Sequence, residues 1–168
     1  MSTGKFTGLI GAKMVDIVAK SKRSEMMSRI SSKDTKLEVW LRAELHRRGY
    51  RFRKNYKEVA GKPDIYFPKK KAAIFLNGCF WHWHEGCYLG HLPKSNIAFW
   101  KGKLEKNRER DRKVRRELEK IGIRYLVVWE CALKGRYRLK SEHVLSEVEK
   151  WIQFGTDSTD ISSIEKLR

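Results

Sequence analysis

No run of about 18 or more apolar residues occurs anywhere in the sequence, so nothing in it reads as a membrane-spanning helix. The N-terminus has a lysine but no long apolar segment ahead of a small-residue cleavage site, so no secretion signal is expected. Cysteine is scarce. Three residues, an odd count without a secretory context, fit an intracellular, reduced protein better than a disulfide framework. Acid is scarce too: 20 Asp and Glu stand against 38 Lys and Arg, a net charge of +18. That field draws polyanions, nucleic acid first, with strongly salt-dependent binding; ribosome association, anionic lipid binding and mere solubility are the alternatives that charge alone does not separate.

What is present is one domain's worth of chain. Its 168 residues are 40% apolar, enough for a real core. Residues 1–20 lack periodicity and read as a flexible N-terminal arm. Residues 21–154 read as a single domain and 155–168 as a polar, frayed tail. Between 21 and 33, Lys22, Arg23, Arg29 and Lys33 surround Met26, Met27 and Ile30, which suits either an arm on a phosphate backbone or an ordinary amphipathic connector.

Leu37, Trp40, Leu41 and Leu45 recur at one helical face, with Asp34 or Thr35 as cap and Gly49 as the stop. Tyr50 to Arg53 reads as a short edge strand or extended connection. Gly61-Lys62-Pro63 makes a turn into a strand Asp64–Phe67, and Lys69–Lys71 makes a hairpin loop into the apolar strand Ala72–Leu76. Residues 97–121 form the longest helical pattern, a stripe of Ile97, Trp100, Leu104, Val114, Leu118 and Ile121 broken only by Asn107 and Asp111. Tyr125–Trp129 is a further apolar strand, and 141–154 a last amphipathic helix. A strand, a long helix and a strand imply a crossover, hence two parallel strands whose C-terminal ends share one sheet edge.

The densest chemistry lies in residues 78–87, which hold two of three cysteines, two of five histidines and two of six tryptophans. Cys79, His84 and Cys87 supply three ligands of the kind tetrahedral zinc prefers. The parallel crossover delivers Cys131 to the same edge as the fourth, so a closed structural Cys3His site is expected. Asp64 opens a strand after Pro63; such a carboxylate in a basic protein suits Mg²⁺ held by oxygen ligands, or is a plain turn aspartate. Thr35-x-x-Glu38 matches a capping box, the structural alternative to a catalytic Glu38. Asn107 and Asp111, polar on an inward face, need partners: they could orient His82 or bond within the core. Phe80, Trp81 and Trp100 could stack on bases or cover the zinc.

Arg23-Ser24-x-x-Met27-x-x-Ile30, Thr35-x-x-Glu38, Gly61-Lys62-Pro63-Asp64-Ile65, Gly78-Cys79-Phe80-Trp81-His82-x-His84, Asn107-x-x-Arg110-Asp111 and Val128-Trp129-Glu130-Cys131 resemble, in this order, the very short patch repair endonucleases. The resemblance spans about residues 21–135. It implies an α/β fold of the restriction-endonuclease-like PD-(D/E)xK type, a mixed central sheet flanked by helices with a structural zinc site. It also implies a nick 5′ of the thymine in a T:G mismatch in double-stranded DNA.

By the same resemblance Asp64 and the main-chain carbonyl of Leu76 hold Mg²⁺, Glu38 reaches that metal through water, and His82 activates the attacking water. Cys79, His84, Cys87 and Cys131 hold Zn²⁺. Phe80, Trp81 and Trp100 form a wedge beside the mismatch, and Met27 inserts from the opposite groove. Asn77 stands where some relatives carry histidine and others aspartate; asparagine cannot relay a proton, which leaves it to position a water or phosphate. The implied setting is a monomer in the cytoplasm, on the nucleoid, beside mismatch-repair proteins. A restriction-like nuclease of other specificity and a zinc-stabilised DNA-binding module without catalysis are the rival readings.

Overall fold

The computed structural model describes residues 34–164. The expectations for residues 1–33, Met27 among them, fall outside the described residues.

Helix α1 (Lys36–Arg47) starts where the cap was expected, with the Thr35 side chain accepting from the Glu38 N–H. An edge strand β1 (Arg53–Lys54) is shorter and later than the expected Tyr50–Arg53 segment. Strand β2 (Ile65–Phe67) runs antiparallel to it and turns through a 3-10 segment, Pro68–Lys70, into β3 (Ala72–Asn77). Helix α2 (Ile97–Lys120) then carries the chain across to β4 (Arg124–Trp129), which pairs with β3 in parallel over its whole length, Ala72 opposite Arg124 and Asn77 opposite Trp129. A four-residue helix α3 (Glu130–Leu133), not anticipated, follows directly, and α4 (Ser141–Phe154) comes next.

The tail does not fray as expected. Thr159–Ile161 form β5, parallel to β4, and complete a five-stranded sheet in the order β1-β2-β3-β4-β5. The reason is the free edge that β4 would otherwise expose: its buried, unpaired backbone needs hydrogen-bond partners more than the polar tail needs solvent. Asp160 also accepts from the Trp129 indole N–H at 2.9 Å.

The sheet is mixed, and its central strands are buried on both faces. Ile65, Ile74, Leu126 and Val128 point to the core shared with α1 and α4, through Leu41, Leu45, Val144, Leu145 and Val148. Tyr66, Ala73, Tyr125, Val127 and Trp129 point to the other core, closed by Leu118 of α2 together with Cys79, Cys87 and Cys131. This is why β3 and β4 are continuously apolar rather than alternating. The stripe on α2 is less complete than its periodicity suggests. Leu104 and Leu118 are fully buried, yet Ile97 is 53% and Ile121 56% exposed, because the helix overshoots the sheet at both ends. No helix among the described residues is long and apolar enough to cross a membrane.

Candidate active site and metal centre

Both parallel strands end at the same edge, and the site is built there. After β3 the chain turns at once: His82 N–H bonds to Gly78 C=O at 3.1 Å and His84 N–H to Cys79 C=O at 2.9 Å. Trp83, between them, has φ +44°, a left-handed conformation that bulky residues seldom take and that marks sites where geometry is imposed. The reversal there sends His82 and His84 to different partners. The loop is a series of turns rather than an extended segment.

On one side, Cys79, His84, Cys87 and Cys131 bring one ligand atom each within 4.8 Å of one another. His84 Nδ1 lies 3.5 Å from Cys79 Sγ and 3.6 Å from Cys131 Sγ. Its ring stacks flat on Trp129, centroids 3.9 Å apart, which fixes the plane in which the nitrogen is offered. All three cysteines are free thiols and buried. Gly90 closes the loop; a Cβ there would come within 2.6 Å of His84 C=O, so the backbone approach demands glycine. Hydrogen bonding with Cys131, then burial, holds the Cys79 thiol above its usual range, while the hydrogen bond from Cys79 draws Cys131 down to about 3. Three buried cysteines and one imidazole are a donor set that fits a metal ion such as zinc.

On the other side stands His82. Its Nδ1 lies 2.6 Å from Asp111 Oδ2, a residue of α2. A carboxylate can only accept there, so the contact calls for N–H at Nδ1 and leaves Nε2 as the ring nitrogen free of Asp111. One turn earlier on α2, Asn107 donates to the main-chain carbonyl of Trp81 at 2.9 Å. The two polar interruptions of the apolar stripe therefore both serve the 81–82 segment. Glu130 fastens the same loop from α3, accepting from the Cys79 N–H at 3.3 Å.

Asp64 sits just before β2, half-buried, and its Oδ2 accepts from the Leu76 N–H at 2.7 Å. The Leu76 main chain thus lies beside Asp64, and the contact runs through its amide N–H rather than its carbonyl. Burial raises the Asp64 carboxyl to about 6; the Leu76 amide opposes this, Glu38 pushes it further up, and Arg42 and His82 pull it down. One hydrogen bond occupies only one of the roughly four acceptor positions of a carboxylate, so Asp64 keeps oxygen to offer a hard cation.

Glu38 is a capping-box residue and more. Its carboxylate accepts from the Asp34 N–H at 2.9 Å and the Thr35 hydroxyl at 2.9 Å, and it is only 4% exposed. Arg42, equally buried, grips it at 3.2 Å and bonds Asp34 at 2.7 Å. Arg42 went unremarked in the sequence. The signal available was its i+4 spacing from Glu38 beside the buried Leu41.

Phe80, Trp81 and Trp100 form one half-exposed cluster of edge-to-face pairs, with centroids 5.1, 5.2 and 6.1 Å apart. The Lys103 ammonium lies over Trp81 and Trp100 at 5.4 and 5.8 Å. Phe99, 62% exposed, extends the cluster through Trp100 and was missed because its neighbour occupies the periodic position. Apolar rings held partly in water beneath a cation suit stacking on nucleobases. Asn77 ends β3 and lines, with His82 and Asp111, a cleft of about 410 Å³ between the sheet and α2.

The sequence matches the family model described as DNA mismatch endonuclease Vsr over residues 15–89. It is 53% identical over 123 residues to the type II nicking enzyme V.NmeAIP of Neisseria meningitidis serogroup A, across 73% of this chain and 87% of that protein. It is 40% identical over 139 residues to the DNA mismatch endonuclease Vsr of Escherichia coli, across 83% and 88%. It is 43% identical over 120 residues to the type II nicking enzyme V.XorIIP of Xanthomonas oryzae pv. oryzae, across 71% and 88%.

Proposed function

The chain belongs to the DNA mismatch endonuclease Vsr family, and from that premise we propose that it is a Mg²⁺-dependent endonuclease that nicks double-stranded DNA on the 5′ side of the thymine in a T:G mismatch. The observation that carries the reading is the His82–Asp111 pair at 2.6 Å, held beside the Asp64 carboxylate at the end of parallel strands. A base oriented by a carboxylate, next to a carboxylate with oxygen to spare, is the equipment of metal-assisted phosphodiester hydrolysis.

Asp64, with the Leu76 main chain, would hold Mg²⁺, and Glu38 would hold its water shell. The ion supplies charge neutralisation at the scissile phosphate when bound. The remaining work belongs to the chain. Water attacks phosphorus in line and its proton passes to His82 Nε2. The imidazolium that forms is stabilised by Asp111. The bond from phosphorus to the 3′ oxygen breaks, and that oxygen takes a proton. Asn77 cannot relay a proton, and its place with His82 in the lining of the cleft suits it to hold the water or a phosphate oxygen.

Phe80, Trp81 and Trp100 enter the base stack at the mismatch, with Met27 inserting from the opposite groove. Unstacking costs least where pairing is already weak, which gives selectivity a physical source. Zn²⁺ at Cys79, His84, Cys87 and Cys131 braces the loop that aims both His82 and the aromatics. The fold then falls in the restriction-endonuclease-like class. The protein acts as a monomer on nucleoid DNA and hands its nicked product to mismatch-repair proteins.

Replacing Asp64 by alanine tests the assignment. With Mg²⁺ and a T:G duplex, the variant is expected to bind as wild type does and to leave both strands whole. Unchanged nicking by that variant would remove Asp64 from the mechanism.

A further inference from the structure

Helix α2 buries Leu104 and Leu118 fully, about four turns apart, and between them it is tied down by Asn107, Asp111 and the packing of Val114 on the sheet's second core. Those three inward positions nevertheless stay half-exposed, and a cleft of about 410 Å³ lies open beside them. Its floor is apolar: Phe75, Tyr125 and Val127 from the sheet, Val114 from the helix. The Tyr125 hydroxyl is turned away to Glu119 at 3.2 Å, so the residue contributes its ring. Lys62 and Arg110 stand at the rim, both exposed. His82 and Asn77 close one end, and the polar atoms of His82 and Asp111 that meet are already committed to each other.

A packing defect would not need cations, and a simple phosphate cradle would not need an apolar floor. A nucleic-acid strand offers both demands at once, because its sugars present C–H edges between phosphates. We propose that this cleft receives the deoxyribose of the nucleotide adjoining the cut, its phosphates on Lys62 and Arg110, and that the apolar floor makes the enzyme reject a ribose there. The inference rests on the nicking reading, which sets the scissile phosphate at His82. Arg115 also lines the cleft, but its guanidinium lies over the Tyr125 ring at 5.5 Å and 3.8 Å from Asp160, and Asn77 stands with His82 at the phosphate end. A 2′-hydroxyl lodged against Phe75, Val114 and Val127 therefore loses its water without gaining a partner on the floor. The wall cannot yield readily either. Gly61 has φ +76°, and a Cβ on it would come within 2.5 Å of Val114 Cγ1, so backbone and floor are already in contact.

The test uses the full-length protein, Mg²⁺ and T:G duplexes in which single ribonucleotides replace, one at a time, those flanking the cut. One adjoining position is expected to slow single-turnover nicking about tenfold or more, within the roughly hundredfold that an apolar pocket extracts from an added hydroxyl. In Val114→Ser, which supplies a partner, the penalty should fall to about two- to threefold, while Val114→Ala should keep it. A rate within twofold of the all-DNA duplex at every adjoining position overturns the proposal. So does a penalty that Val114→Ser leaves intact. If wild type fails to nick the all-DNA T:G duplex, the nicking reading itself fails and takes this inference with it.

Discussion

His82 Nδ1 and Asp111 Oδ2 lie 2.6 Å apart although the residues are 29 positions apart in sequence, one in the Cys/His loop and the other midway along α2. In the proposed mechanism Asp111 is a positioning residue: it would fix the histidine's tautomer and stabilise the cation formed after proton transfer. Asp111→Asn keeps the shape and the hydrogen bond but removes the charge. It is expected to cut the nicking rate about 10²- to 10⁴-fold, while the melting temperature and the affinity for DNA stay near wild type. Single-turnover kinetics beside calorimetry and a binding titration check this. A rate within threefold of wild type would remove His82 from proton transfer.

If Asp64 holds the metal as proposed, stability and function pull in opposite directions there. An acid whose folded pKa lies above its unfolded one favours folding while protonated. Its contribution is complete below the ordinary carboxylate range and is lost as pH rises through about 6. Without added Mg²⁺, Asp64→Asn should therefore gain about 1–2 kcal/mol over wild type at pH 8, and almost nothing at pH 4. Urea unfolding at the two pH values measures it. Equal gains at both would mean that the carboxylate charge is not what burial opposes.

The metal centre should be structural. One equivalent of zinc per chain is expected, with ligand loss by Cys87→Ser or a strong chelator lowering stability by several kcal/mol. Nicking should disappear with the metal, because His82 and Trp81 ride on the same loop as His84. A dye-based zinc assay alongside thermal unfolding decides it. Full activity after complete zinc removal would contradict the bracing role.

The fifth strand gives a prediction at the opposite end of the chain. Truncation before Thr156 removes β5, the Asp160 carboxylate that holds the Trp129 indole, and the buried Ser163. Trp129 is the surface on which His84 stacks, so the truncated protein should melt lower and also bind zinc more weakly. Asp160→Ala alone should cost about 1 kcal/mol. Unchanged zinc affinity in the truncated protein would uncouple the tail from the metal centre.

The parts of this structure that the sequence discloses are those in which pattern and burial coincide. Ala72–Leu76 and Tyr125–Trp129 are apolar on both faces because both faces are covered, and a 24-residue helix between them forces the parallel crossover that brings Cys131 to Cys79. Asn107 and Asp111 were conspicuous as polar residues on an inward face, and both turn out to hold the His82 loop. β5 was invisible because Thr159–Ile161 carries no apolar alternation; its reason for pairing lies in the open edge of β4. Ile97 and Ile121 fit the helical stripe but lie past the sheet, and periodicity does not report where a neighbour ends. Arg42 was overlooked since a buried guanidinium is legible only once its carboxylate partners, Asp34 and Glu38, are placed.

The account turns on a selective single-strand cut, and one assay reaches it directly. The protein is incubated with Mg²⁺ and two duplexes that differ only in carrying T:G or T:A, each strand bearing its own label. The account predicts one nick, 5′ of the mismatched thymine, in the T:G duplex, with the other strand and the T:A duplex intact. Cleavage of both strands, or equal cutting of the paired duplex, would contradict it.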